Sequence, residues 1–149
     1  MRAFFAVLVL TLASCGSAPE KQAIAVAPPP VKDHRILLLA EHQTSAALVP
    51  DHLLDSNALP GGTLGEYENA GRKYQLFIIE TPDPQKAAFL MLDLKATLKD
   101  PAYIAYMGGY FAGGSKPVYV FAKKQYLAGV VGLPMDTADP IARQLAARL

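Results

Sequence analysis

Residues 118–131, VYVFAKKQYLAGVV, give the strongest indication of β-structure in the chain. Two runs rich in β-branched and aromatic residues, Val118–Phe121 and Tyr126–Val131, flank the polar triplet Lys123-Lys124-Gln125. Such runs have high strand propensity, and a short polar segment between two of them is typical of a hairpin turn. The segment therefore predicts two antiparallel strands joined by a tight turn.

A second hairpin is predicted upstream, and a helix is predicted after each hairpin. Strand-like runs at residues 66–68 and 74–79 are separated by a segment that contains Asn69-Ala70-Gly71, and Asn and Gly favour the positive backbone angles of hairpin turns. The dipeptides Asp83-Pro84 and Asp139-Pro140 each place a capping carboxylate before a proline, which needs no amide donor at the first helical position.

The spacing of apolar residues predicts that both helices pack on the sheet. In the first helix, apolar residues recur at helical intervals opposite polar ones. The apolar positions are Ala87, Leu90, Met91, Leu94 and Leu98, and the polar ones are Lys86, Asp93 and Thr97. In the second helix, apolar residues recur every four positions, at Ile141, Leu145 and Leu149. We interpret these faces, with Phe89, as packing surfaces rather than as a ligand pocket.

The order of these elements predicts the fold class. Residues 36–40 are predicted as a short buried strand, although such an apolar run could equally begin a helix. Residues 42–64 are rich in Pro, Gly and Asn and are predicted as a connecting loop. Hairpin, helix, hairpin, helix then gives an α+β domain, with a mostly antiparallel sheet of four or five strands and both helices on one face.

The N-terminal residues predict export. Residues 3–12 are apolar except for Thr11 and follow Arg2, which is the layout of a secretory signal. The run is too short to span a membrane, which takes roughly 20 apolar residues. It ends in Leu12-Ala13-Ser14-Cys15, which resembles the bacterial lipobox, a pattern of aliphatic, small, small and cysteine.

The resemblance to bacterial lipoproteins implies a diacylglycerol on Cys15, cleavage before it, and a further acyl chain on the new amine. Two or more acyl chains anchor a protein stably to a bilayer. The implied organisation is a signal peptide over 1–14, a lipidated cysteine with a proline-rich tether over 15–32, and one globular α+β domain over 33–149. An ordinary signal peptide cut elsewhere is the alternative. Gly16, in place of aspartate, favours the outer membrane, with the domain facing the periplasm.

Composition limits the function classes. Removing residues 1–14 removes Arg2, so the 14 basic residues become 13, against 13 acidic ones. This neutral chain has no basic excess to attract nucleic acid, so we predict no nucleic-acid partner. Cys15 is the only cysteine, and the domain therefore has no disulfide, thiol nucleophile or zinc-thiolate site. No motif indicates a cofactor.

Three histidines suggest the alternative of a metal-assisted hydrolase. His34, His42 and His52 each have an acidic neighbour, Asp33, Glu41 and Asp51 respectively. Imidazole and carboxylate ligands are suitable for zinc. The spacings match no metal motif such as H-E-x-x-H, so solvated loop histidines are the favoured interpretation. No serine lies in G-x-S-x-G, and Glu66 and Glu68 are expected on a solvent-facing strand surface.

An aromatic group offers the best candidate for a binding surface. Tyr103, Tyr106, Tyr110 and Phe111 lie within nine positions, among glycines and Met107. Tyrosine is common at interfaces because it is apolar with a polar tip; packing beneath the sheet is the alternative. We predict a non-enzymatic binding or accessory domain in the cell envelope, whose partners are the lipid bilayer, through the Cys15 acyl chains, and an envelope protein.

Overall fold

The structure, a computed structural model, describes residue 27 and residues 29–149. Its strands are β1 Gln43–Asp51, β2 Pro60–Asn69, β3 Arg72–Glu80, β4 Ala102–Ile104, β5 Gly109–Ala112, β6 Val118–Lys123 and β7 Tyr126–Val131. Its helices are α1 Pro84–Thr97 and α2 Met135–Arg148, with 3-10 turns at Arg35–Leu37 and Leu53–Asp55. The predicted signal peptide, Cys15 and residues 16–26 and 28 of the predicted tether lie outside the described residues.

The seven strands form one antiparallel sheet in the order β1-β2-β3-β7-β6-β5-β4. This confirms the predicted α+β class with an antiparallel sheet. Both predicted hairpins form, β2–β3 and β6–β7. The β2–β3 turn consists of Ala70 and Gly71, with φ of 50° and 76°, as a type I′ turn requires.

The prediction of four or five strands is wrong, because three strands carry weak sequence signals. Strand β1 lies within the stretch predicted as a loop. Its residues 46–49 are all apolar and do not alternate with polar ones, so no period of two is visible. Strands β4 and β5 have three and four residues. Residues 36–40 form no strand: a 3-10 turn at Arg35–Leu37 is followed by irregular chain.

The helices lie on opposite faces of the sheet, not on one face as predicted. Leu76 and Ile78 of β3 pack in a core with α2, while Phe77 and Ile79 pack in a second core with α1. Consecutive apolar residues are typical of a strand buried on both sides, and the central strands have this pattern. We call the two sides of the sheet the α1 face and the α2 face.

The two helices differ in how they begin. In α1 the prediction is confirmed: Asp83 Oδ1 accepts a hydrogen bond of 2.8 Å from the Lys86 N–H, and Pro84 is the first helical residue. Helix α2 begins at Met135 after Pro134, so Pro140 lies inside it and Asp139 is no cap. This frees the Asp139 carboxylate to contact the sheet.

Candidate functional site

The four predicted aromatic residues do not form one surface. Tyr103 and Tyr110 are paired across β4 and β5, with ring centroids 5.4 Å apart, on the α1 face. Phe111 points to the α2 face, where its ring lies 6.4 Å from that of Tyr119. Tyr106 belongs to the β4–β5 turn. The structure therefore divides the group between the two sides of the sheet.

On the α2 face, Asp139 connects the helix to the sheet. Its Oδ1 accepts hydrogen bonds from the hydroxyls of Tyr106 and Tyr119, at 2.6 Å and 2.8 Å. Its Oδ2 accepts one from Arg143 Nε at 2.9 Å, and the Arg143 guanidinium lies 4.1 Å from the centroid of the Tyr106 ring. Tyr106 and Tyr119 thus use their hydroxyls inside the fold.

The electrostatics of this cluster indicate a structural role. Partial burial of Asp139 would raise its pKa, but the hydrogen bonds from Tyr106, Tyr119 and Arg143 outweigh burial, and the pKa is lowered. Burial raises the pKa of Tyr119, and the hydrogen bond from its hydroxyl to the Asp139 carboxylate raises it further. The carboxylate stays ionised and the phenol stays protonated, which are the forms that make these hydrogen bonds.

On the α1 face, the helix exposes apolar side chains. Ala87, Met91 and Leu94 are buried against the sheet, whereas Phe89 and Leu92 are 50% and 46% exposed. The interpretation of Phe89 as a packing residue is therefore wrong. The helix is apolar around most of its circumference, and only one side of it meets the sheet.

The surface formed by these exposed helix residues continues across Lys95 onto two tyrosines of the sheet. Phe89 and Leu92, and Leu92 and Lys95, are three residues apart and so are neighbours on the helix surface. The Lys95 ammonium lies 4.5 Å from the centroid of the Tyr110 ring, and Tyr110 contacts Tyr103, which is 62% exposed. We call Phe89, Leu92, Lys95, Tyr103 and Tyr110 the α1 stripe.

The three histidines are held at separate places. His42 Nε2 lies 3.3 Å from Glu41 Oε1. His52 Nδ1 lies 3.1 Å from Asp51 Oδ2. His34 Nε2 lies 2.7 Å from Glu80 Oε2. Within residues 27 and 29–149, no group of three or more His, Cys, Asp or Glu side chains could hold a metal ion. The structure does not bring the three imidazoles into one site.

Glu80 forms a cluster that the sequence analysis did not identify. Its Oε1 accepts a hydrogen bond of 2.7 Å from Lys32 Nζ, and its Oε2 contacts His34. The bond from Lys32 lowers the pKa of Glu80; partial burial opposes this effect, and the contact with His34 adds to it. The His34 ring packs edge-on against Tyr126 at 5.4 Å. A contact across 46 residues leaves no local sequence signal.

Glu80 attaches the segment that enters the domain. Pro29, Pro30 and Lys32 line a cavity of about 330 Å³ together with the ends of β1, β2 and β3. The chain therefore enters the domain at the end of the sheet where β3 finishes and α1 begins.

None of the helices in the described part of the chain has the length and apolar character needed to cross a bilayer.

Comparison of the chain with protein-family models, with curated proteins and with solved structures found no match.

Proposed function

We propose that this chain is a bacterial lipoprotein, anchored through Cys15 to the outer membrane and facing the periplasm. Its domain would act without catalysis, by binding an envelope protein through the α1 stripe. The observation that carries the proposal is the α1 stripe itself. Two apolar side chains and two tyrosines surround one lysine there, and aromatic residues are enriched at the centres of protein interfaces.

The composition of the α1 stripe defines the partner. Exposed apolar patches on a soluble domain mark interaction sites, so the partner must offer apolar surface to Phe89 and Leu92. Lys95 lies between these residues and the tyrosines, and its ammonium would be desolvated on binding. We therefore expect the partner to place a carboxylate opposite Lys95, because an unpaired buried charge is costly.

The attachment of the chain to the domain supports a tethered role. Lys32 and His34 hold the entering segment against Glu80, so the tether is attached to the end of an interior strand of the sheet and not to a loose loop. At the 3.1 Å per residue or so expected for a proline-rich spacer, the roughly 16 residues between Cys15 and Lys32 would reach some 50 Å. That length would allow the domain to search for a partner near the membrane.

The use of the partly buried carboxylates supports a non-enzymatic role. Both Glu80 and Asp139 have lowered pKa values, and both are occupied by hydrogen bonds to neighbours within the domain. A general acid or base near neutral pH needs the opposite shift for a carboxylate. These groups are therefore suited to holding the fold together.

Two experiments in the native host test the proposal. In the first, Cys15→Ala should abolish labelling with radioactive palmitate and release the protein from the membrane fraction. Persistent labelling or membrane retention would contradict the anchor. In the second, a photo-crosslinker at position 92 should capture a specific envelope protein.

The crosslinking experiment has a matched control in the chain. Phe89→Ser should abolish the crosslink formed from position 92, whereas Ile36→Ser should leave it intact, because Ile36 is 81% exposed but lies outside the α1 stripe. Equal loss in both variants, or equal retention in both, would contradict binding through the α1 stripe.

A further inference from the structure

A groove of about 560 Å³ opens beside the β2–β3 hairpin. Glu66 and Glu68 of β2 and Lys73 and Gln75 of β3 line it. These residues alternate along their strands with residues whose side chains pack on the α2 face, so they belong to the α1 face. Helix α1 packs on β6 and β7 and leaves this part of the α1 face open.

The groove contains charges of both signs, and among the described residues the side chains of Glu68, Lys73 and Lys116 make no hydrogen bond or ion pair. Glu68 and Lys73 are directly opposite each other in the β2–β3 register. Among the described residues, however, no ion pair within 4.0 Å joins them. Lys116 adds a second ammonium from the loop before β6. Glu66 adds a second carboxylate, whose Oε2 accepts a hydrogen bond of 3.1 Å from Ser45.

Three further lining residues, Gln75, Val131 and Gly132, add a small apolar floor and an amide. Val131 is buried at the end of β7, and Gly132, with φ of 98°, turns the chain away behind it. Gln75 contributes a side-chain amide, which can donate and accept hydrogen bonds. A ligand lying on Val131 would therefore find polar groups along both sides, as in typical small-molecule sites of 300–1,000 Å³.

We infer that this groove binds a small zwitterionic ligand, a short peptide with free termini. Its ammonium would lie against Glu66 and Glu68, and its carboxylate against Lys73 and Lys116. The two glutamates disfavour a phosphate or another simple anion, and the two lysines disfavour a metal cation. A ligand with both charges satisfies all four side chains.

The groove lies at the end of β3 opposite to the end that the entering segment contacts. The entering segment contacts β3 at Glu80, and Lys73 lies seven residues earlier on the same strand. At about 3.4 Å per residue this separates the two sites by roughly 24 Å. A lipid-anchored domain would thus present the groove on the side remote from the tether. The groove and the α1 stripe share no residue, so each can fail without the other.

The probe is tri-alanine with free termini, titrated into the full chain in detergent micelles and followed by ¹H–¹⁵N NMR. We expect saturable shifts at the amides of Gly132 and Lys116 at concentrations up to about 10 mM, which corresponds to a weak complex. The same peptide with acetyl and amide ends should produce none. Equal shifts from both peptides, or none from tri-alanine, would overturn the inference.

Charge-removing variants provide the second arm. Glu68→Gln and Lys73→Gln should each weaken tri-alanine binding by about tenfold or more. Lys86→Gln, an exposed change on α1 outside the groove, should leave it unchanged. All these side chains are exposed, so the folded spectrum should persist in each variant. Unchanged affinity in both groove variants would contradict the site.

Discussion

The two helices cover opposite faces of one sheet, and they are attached to it in different ways. Helix α2 is joined to the rest of the domain by polar contacts near both of its ends. Asp139 bonds two tyrosines near its start, Arg148 donates to the carbonyls of Ile36 and Leu37 near its end, and the ammonium of Lys124 donates to the carbonyl of Leu149.

Helix α1 is joined mainly by apolar packing. Its buried side chains are Ala87, Met91 and Leu94, and the cap from Asp83 lies within its own first turn. The charged group that it places against the sheet is the Lys95 ammonium, which lies over the Tyr110 ring. Phe89 and Leu92, meanwhile, remain exposed.

This difference separates the contacts that stabilise the fold from the surface that we propose for recognition. On the α2 face, the Asp139 carboxylate and the hydroxyls of Tyr106 and Tyr119 are used to hold the helix in place. The α1 face keeps apolar side chains and unpaired charges at the surface, which adds little to stability but leaves them available to partners. Changes on the α2 side should therefore affect folding, and changes on the exposed α1 side should affect binding.

The largest expected effect compares two helical leucines. Leu145 of α2 is fully buried, so Leu145→Ala should lower the free energy of unfolding by about 2–5 kcal/mol through lost burial and the remaining cavity. Leu92→Ala on α1 should change it by no more than about 0.5 kcal/mol, because the side chain is half-exposed. Urea unfolding of both variants checks this pair. Similar losses would remove the distinction between the helices.

The second prediction concerns the carboxylate that fixes α2. Asp139→Asn keeps the shape but removes the charge that strengthens three hydrogen bonds, and should cost about 1–3 kcal/mol of unfolding free energy. Asp93→Asn, on the exposed side of α1, is the matched control and should cost little. The same urea measurement applies. If Asp139→Asn leaves the free energy of unfolding unchanged, packing alone holds α2.

The sequence predicts those parts of this comparison that are encoded locally. The β6–β7 hairpin and the start of α1 follow from residues within a few positions of each other, such as Asp83 and Lys86. The assignment of each helix to a face of the sheet does not follow from nearby residues. It depends on which side of a doubly buried strand each helix reaches. The sequence predicts Asp139 as a cap, and only its contact with Tyr119, 20 residues away, reveals its role.

The candidate site was predictable in part. Tyr103 and Tyr110 were identified from composition, and the strand register places them together. Their separation from Phe111 follows from the period of two along β5. The exposure of Phe89 had no sequence signal, because an apolar residue on an apolar helix gives no indication of which side is covered.

The third prediction is a dependence on pH. The pKa values of Asp139 and Glu80 are lowered in the folded state, so both carboxylates stabilise the fold above their unfolded pKa values. This stability should decrease as the pH falls below about 4.5, the ordinary value for Glu80, towards the lower folded pKa values. Thermal unfolding between pH 7 and 3 checks this. Asp139→Asn with Glu80→Gln should make the profile less steep but not flat, since the hydrogen bond from Arg35 lowers the pKa of Asp33 to about 2 as well; an unchanged profile would contradict the assignment.

The smallest expected effect compares two cations over aromatic rings. Lys95 on Tyr110 and Arg143 on Tyr106 have similar distances, 4.5 Å and 4.1 Å. Lys95→Met should cost only about 0.5 kcal/mol, because a cation–π contact at a partly exposed site is worth about that much. Arg143→Met should cost more, since Arg143 also donates to Asp139. If urea unfolding gives equal losses, the ring contact dominates on both faces. A larger loss for Lys95→Met would mean that α1 depends on its charge as α2 does, and the α1 stripe would then serve folding.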